Sequence, residues 1–132
     1  MQTFLDTHAW IWWVTGDTRL SRRARSVIRR AAVHEGAWIS TISVWEVAKR
    51  VEKKQLALDR PVRDWLALAL GTPGLYVAEL TAEILIESCN LPQPFHGDPA
   101  DQMIAATVRS HSGALVTRDE AMHAYPHLRC IW

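Results

Sequence analysis

The sequence predicts an α/β fold with a central, mostly parallel sheet of about five short strands flanked by helices. Three observations carry this. Short apolar runs such as Thr3–Leu5, Ala37–Ser40 and Ala114–Thr117 are each followed by a helix-opening or turn pattern. Amphipathic stretches between them are long enough for the crossovers that parallel strands require. The 132 residues, 48% hydrophobic and 22% charged, suit one domain spanning 1–132 with a substantial core.

Taken in order, Thr3 to Leu5 reads as a short buried strand ending at Asp6. A helix from His8 to Thr15 stops at Gly16 and Asp17. Ser21 caps a second helix to about His34, with Ala24, Val27, Ile28 and Ala31 on one face. Gly36 breaks it, and Ala37 to Ser40 is the second strand. Ser43-Val44-Trp45-Glu46 matches a capping box opening a third helix to about Lys54. Pro61, at a first helical position, opens a fourth that Gly71 closes. Leu75 to Glu79 is the third strand, and Thr81 opens a fifth helix. After the loop Leu91–Gly97, Asp98 caps a sixth helix that has Pro99 at its first position and extends to about Ser110. Ala114 to Thr117 and Leu128 to Ile131 complete the sheet.

The bulk numbers exclude several classes. No segment reaches the roughly 20 apolar residues of a membrane span. The chain begins with a strand-like run rather than a basic n-region, so no signal peptide is read and a cytoplasmic location is expected. Cys89 and Cys130 have no metal-ligand spacing and read as reduced core residues. A net charge of +1 advertises no strong field, although Arg19, Arg22, Arg23, Arg25, Arg29 and Arg30 crowd one segment. The signatures of serine hydrolases, P-loop NTPases and dinucleotide enzymes do not occur.

The informative feature is acidic. Asp6, Glu46, Asp101 and Asp119 stand at four separate places where the chain turns toward a helix. In an open α/β sheet such positions converge on the crevice at the carboxyl ends of the strands. Two carboxylates about 4 Å apart repel by roughly 4 kcal/mol at an effective dielectric of about 20. Such a group is tolerable only with protons or a cation among it. The arrangement therefore points to a divalent metal and to chemistry on a phosphate-rich substrate. Asp98 is a natural N-cap and an accessory, while Asp101 at the third helical position is the better ligand. Thr117 offers a hydroxyl at the same edge. Arg22, Arg23, Lys49 and Arg118 are the cations available to meet a phosphodiester.

Four blocks carry a resemblance. Leu5-Asp6-Thr7-His8-Ala9, Ser43-Val44-Trp45-Glu46-Val47-Ala48-Lys49, His96 to Thr107 and Leu115-Val116-Thr117-Arg118-Asp119-Glu120 resemble the motifs of PIN-domain ribonucleases. More closely, they resemble VapC-type toxins of bacterial toxin–antitoxin pairs. The likeness covers essentially the whole chain, in order. It implies a Mg²⁺- or Mn²⁺-dependent endoribonuclease and gives the metal role to Asp6, Glu46, Asp101 and Asp119. It also implies an RNA substrate, an antitoxin partner and a homodimer. Gln102 stands where the family often has Arg. Trp10, Trp12 and Trp13 share one short helix and cannot all face inward, so they are expected beside a partner interface. Three other readings stay open at this stage. One is a stand-alone RNA-processing nuclease. Another is a phosphoacceptor receiver domain, which needs a second acid where Thr7 follows Asp6. The third is a non-catalytic binding module that keeps the fold for antitoxin or RNA contact, against which the intact acidic quartet argues.

Overall fold

Thr3, Phe4 and Leu5 are all buried, as a strand covered on both faces must be, and form β1. The computed structural model describes residues Met1–Trp132. The other strands are β2 (Ala37–Ser40), β3 (Leu75–Ala78), β4 (Ala114–Val116) and β5 (Cys130–Ile131). The helices are α1 (Thr7–Thr15), α2 (Arg22–Val33), α3 (Thr41–Glu52), α4 (Val62–Leu70), α5 (Ala82–Ser88), α6 (Pro99–Ser110) and α7 (Glu120–Ala124). The strand order is β3-β2-β1-β4-β5, and every pairing is parallel.

The order locates the site. From β1 the chain runs outward through β2 to β3, then returns to place β4 on the other side of β1. The sense of winding reverses between β1 and β4, which makes their carboxyl ends the crevice of the fold. Thr3, Phe4 and Leu5 pair with Ala114, Leu115 and Val116, so Asp6 and Thr117 leave the sheet side by side.

Alternation along the strands divides the core. Leu5, Ile39 and Val116 join Trp10, Ile28, Val47 and Trp65 on one face. Phe4 and Leu115 join Ile84, Ile104, Met122 and Tyr125 on the other. Each large side chain withdrawn from water in this way stabilises the fold by about 1.5–3 kcal/mol. Two glycines are required by geometry. Gly16 ends α1 in the left-handed region at φ 68°, its N–H donating to the Trp12 and Trp13 carbonyls. Gly74 has φ 82°, and a Cβ there would lie 2.2 Å from the Ala32 carbonyl oxygen.

Several expectations are corrected. The Ser43–Glu46 capping box does not form. Strand β2 passes into α3 with no loop, and Ser40 ends the strand and caps the helix, its Oγ accepting from the Ile42 N–H. Ser43 is thereby buried and Glu46 lies in the second turn. Pro61 is the cap of α4 rather than its first residue. Helix α7 was not expected; Asp119 caps it through the Ala121 and Met122 N–H groups. Both cysteines are free, but Cys89 is exposed and only Cys130 is half-buried. Trp10 is fully buried, with its ring edge-on to Trp65 at 5.7 Å. It is core and cannot meet a partner. Trp12 is also buried, and Trp13 alone of the three is half-exposed. The reason is that α1 is enclosed by α2, α3 and the sheet, so even adjacent tryptophans find apolar neighbours.

Candidate metal centre and substrate cleft

The cleft at the carboxyl ends of β1 and β4 has a volume of about 400 Å³. Asp6, Glu46, Asp98, Asp101 and Asp119 line it together with Thr7, His8, Trp12, Arg50 and Arg118. All four predicted acids, with the accessory Asp98, are therefore brought to one place by four separate elements.

Each acid is held by local structure. Asp6 is the N-cap of α1, and its Oδ1 accepts from the Ala9 N–H at 2.9 Å. Its Oδ2 accepts from the hydroxyl of fully buried Thr117. The same Thr117 oxygen accepts from the Asp119 N–H at 3.0 Å, so one hydroxyl ties the ends of two site segments together. Glu46 Oε1 accepts from the hydroxyl of buried Thr7, which also meets Ser43 Oγ at 2.9 Å. Arg50, one turn on, approaches Glu46 Oε2 at 3.9 Å. Asp98 caps α6 by accepting from the Asp101 N–H at 3.0 Å. That leaves the Asp101 side chain for the cleft, where Oδ2 meets His96 Nε2 at 2.7 Å. Phe95 stacks on the His96 ring at 4.4 Å and packs edge-on to Tyr125, which fixes the loop before α6. Gln102 adds a bond from Nε2 to the His96 carbonyl at 3.4 Å.

The electrostatics match the crowding. Burial pushes the Asp6 carboxyl up to about 6; the Thr117 and Ala9 hydrogen bonds oppose this, and the charges of Asp101 and Glu46 add to it. Glu46 is raised chiefly by burial, against the Thr7 bond and Arg50, and further by Asp101 and Asp98. Asp101 is raised by burial, with His96 opposing and Asp98 and Asp119 reinforcing. Burial also raises the Cys130 thiol, to about 12, helped by Asp6 and Asp119. His8 is held below its usual range by burial, then by Arg50 and Arg19.

The donors are hard oxygens in a partly dehydrated cleft, which suits a hard divalent cation. No three carboxylate, imidazole or thiol groups lie close enough to hold a metal ion between them. Mg²⁺ keeps several waters and takes one or two carboxylates with substrate phosphate.

The predicted cations separate. Arg118 lines the cleft. Lys49 does not; its ammonium pairs with Glu52 at 2.7 Å and lies over Trp45. Arg22 and Arg23 are exposed on α2 and do not line the cleft. Sequence reasoning missed Thr7, Arg50 and His96. Arg50 had a usable signal, since it follows Glu46 by one helical turn. Thr7 and His96 had none beyond their place in the motif blocks.

A parallel α/β sheet with a carboxylate cleft at its switch point places the chain among the α/β domains that build their site at the carboxyl ends of the strands. The PIN-domain profile matches residues 3–128. Ribonuclease VapC22 of Mycobacterium tuberculosis is 34% identical over 128 residues, covering 95% of this chain and 92% of the relative. The chain belongs to the PIN-domain family and, at this identity and coverage, to its VapC branch. Solved structures share the fold. The VapBC2 complex of Rickettsia felis bound to promoter DNA superposes with TM-score 0.72 at 16% identity, covering 99% and 98% of the two chains. DNA-bound VapBC of Salmonella typhimurium gives 0.67 at 20%, covering 99% and 97%. FitAcB of Neisseria gonorrhoeae gives 0.62 at 20%, again covering 99% and 97%.

Proposed function

We propose that this chain is a Mg²⁺- or Mn²⁺-dependent endoribonuclease, the toxin of a toxin–antitoxin pair, acting in the cytoplasm as a homodimer whose protomers are single nuclease domains. The observation that carries the reading is the convergence of Asp6, Glu46, Asp101 and Asp119 on one cleft, with three of them raised by shared burial and repulsion. Membership of the VapC branch supplies RNA as substrate, and the VapBC names of the structural neighbours support an antitoxin partner.

Asp6, Asp101, Glu46 and Asp119 would hold the cation, one or two of them directly and the others through its waters. When bound, it supplies Lewis-acid polarisation of the scissile phosphoryl group and acidification of an attacking water. The chain's own residues do the positioning. Thr117 orients Asp6, Thr7 orients Glu46, and His96 orients Asp101. Arg50 and Arg118 supply positive charge where a phosphodiester approaches five carboxylates. Of the chain's cation candidates, Arg118 takes the substrate role in this reading, and Lys49, Arg22 and Arg23 do not.

The antitoxin segment is assigned to the mixed groove beside the end of α1, about 520 Å³ in volume. Val14, Leu58, Trp65 and Leu68 give it an apolar side, Asp59 and Arg60 a charged one, and Leu68 is 60% exposed. An apolar side chain on a partner helix or strand would cover that surface. The test is direct: cleavage of RNA by purified protein, required to depend on Mg²⁺ or Mn²⁺ and to vanish in Asp6→Asn and Asp101→Asn. Undiminished cleavage by both variants would remove the assignment.

A further inference from the structure

One rim of the cleft carries an arrangement that the metal site does not need. The Trp12 indole lines the cleft yet is only 7% exposed, because other groups cover it. Trp132 packs against it edge-on at 6.0 Å and 65°. The guanidinium carbon of Arg19 lies 5.1 Å from the ring centroid and that of Arg118 lies 5.7 Å from it. Two cations thus share one aromatic ring, within roughly a Debye length of each other at moderate salt.

The pairing of these arginines makes the arrangement informative. Arg118 lines a cleft that contains Asp6, Asp98, Asp101 and Asp119, yet it forms no salt bridge with any of them. An exposed guanidinium among carboxylates ordinarily swings to one of them. Here the indole holds it away, which leaves the acids free for a cation and the guanidinium free for an anion. Arg19 is fixed differently. Its Nε and Nη2 fork onto Asp17 at 3.1 and 2.7 Å, which uses one edge of the plane and leaves Nη1 without a protein partner. A planar guanidinium clamped on one edge and held over a ring keeps its other edge pre-organised for phosphate.

Resting on the nuclease reading above, we propose that Arg19 and Arg118, set in place by Trp12, form a phosphate shelf for single-stranded RNA at the nucleotides beside the scissile bond. Trp12 is a positioning residue in this scheme, and Arg19 becomes a substrate contact although it stands in the arginine-rich segment at a distance in sequence from every acidic motif. The shelf reads no bases, because phosphate contacts position a strand without reading its sequence. It gives the RNA a direction across the cleft, with Arg50 on the α3 side and the shelf on the β4 side.

The experiment uses full-length protein carrying Asp101→Asn, so that RNA is bound but not cut. The probe is a fluorescein-labelled, mixed-sequence single-stranded 12-mer oligoribonucleotide, titrated by anisotropy over a range of NaCl concentrations. Arg19→Gln with Arg118→Gln should weaken binding at least 10-fold at low salt. It should also lower the slope of log K against log salt by about 1.4, since each single-strand phosphate contact contributes about 0.7. Arg118→Lys keeps the charge but loses the planar fork; it should keep the parental slope and still lose affinity several-fold. Trp12→Phe, checked for a parental circular dichroism spectrum, should behave like Arg118→Lys. In the cleaving protein the double variant should raise KM with little change in kcat. Parental affinity and slope in the double variant would overturn the shelf. So would a double variant that keeps RNA but loses its antitoxin, because the shelf would then be a protein interface. Mg²⁺-dependent cleavage by the wild type is scored separately, so failure of the nuclease reading and failure of the shelf appear in different assays.

Discussion

Two regions carry opposite charge, and only one of them is costly to maintain. Helix α2 is the most basic stretch of the chain, and its arginines surround an apolar stripe of Ala24, Ile28 and Ala31 buried in the core. Arg22, Arg23, Arg29 and Arg30 lie exposed, where solvation makes charge cheap and uninformative. The cleft is the reverse. Its carboxylates come from four distant segments, lose water on folding and repel one another. Sequence density of charge therefore marks a solvated face, whereas carboxylates gathered by topology against their own repulsion mark a site. The cations that line the cleft, Arg50 and Arg118, are isolated in sequence and are brought there by α3 and by the segment after β4.

The largest expected effect tests that contrast. Asp6→Asn or Asp101→Asn should lower Mg²⁺-dependent RNA cleavage by roughly 100-fold or more, about 2.7 kcal/mol in the barrier. Arg22→Gln with Arg23→Gln, which removes two charges from the basic face, should change kcat/KM by less than about twofold. Comparable losses in the two experiments would mean that α2 belongs to the substrate path and that the contrast is wrong.

The next effect concerns metal-free protein. The Asp6 carboxyl sits at about 6 in the folded chain, against an ordinary carboxylate value of about 4. The folded state therefore binds the proton more tightly than the unfolded state. Its contribution is fully present below about pH 4 and is lost as pH rises through about 6. Its size is at most about 3 kcal/mol. In EDTA, Tm should fall between pH 4 and pH 7 by more in the wild type than in Asp6→Asn. Mg²⁺ should restore stability at pH 7 in the wild type only. A Tm profile identical in wild type and Asp6→Asn would show that Asp6 is not under this strain.

Smaller again is the loss of one orienting hydroxyl. Thr117→Val keeps the shape of a buried β-branched side chain but removes the donor to Asp6 Oδ2 and the acceptor for the Asp119 N–H. Cleavage should fall roughly 10-fold, as for other groups that orient a ligand from behind. In metal-free protein the Asp6 carboxyl should move further up, since a bond that lowers it is gone. NMR titration of the Asp6 carboxyl carbon reads the shift. A downward movement would reverse the assigned role of Thr117.

How much was legible beforehand divides along physical lines. Strand positions followed from local pattern, because a buried parallel strand is an apolar run, and so did the places of Asp6 and Asp119 after β1 and β4; Glu46 and Asp101 lie inside helices, and their approach to the same cleft is a matter of topology. The β2–α3 junction misled. Ser43 and Glu46 satisfy a capping pattern, yet Ser40 is a better cap because β2 ends there with no intervening loop. Helix α7 is only five residues long and leaves almost no periodic signal. The tryptophans of α1 misled in another way. Helical spacing says that adjacent rings point apart, but not that α2, α3 and α4 wrap far enough to bury Trp10 and Trp12 together. His96 meets Asp101, and Arg19 lies over Trp12, through tertiary packing, a link between segments that no local pattern carries.

The smallest expected effect separates two acids that share one helical turn. Asp98 is exposed and its side chain accepts from the Asp101 N–H; Asp101 is half-buried and meets His96. If Asp98 acts as the cap of α6 and no more, Asn should replace it well, because Asn caps about as effectively as Asp. Asp98→Asn should then cost a few tenths of a kcal/mol and change cleavage only slightly. Asp98→Ala removes the cap and should cost about 1 kcal/mol. It should also lower cleavage by a small factor, because the frayed turn is the one that carries Asp101. Urea unfolding with matched kinetics distinguishes these cases. Should Asp98→Asn lose as much activity as Asp101→Asn while keeping its stability, the negative charge of Asp98 is itself used. Asp98 would then join the ligands of the cation.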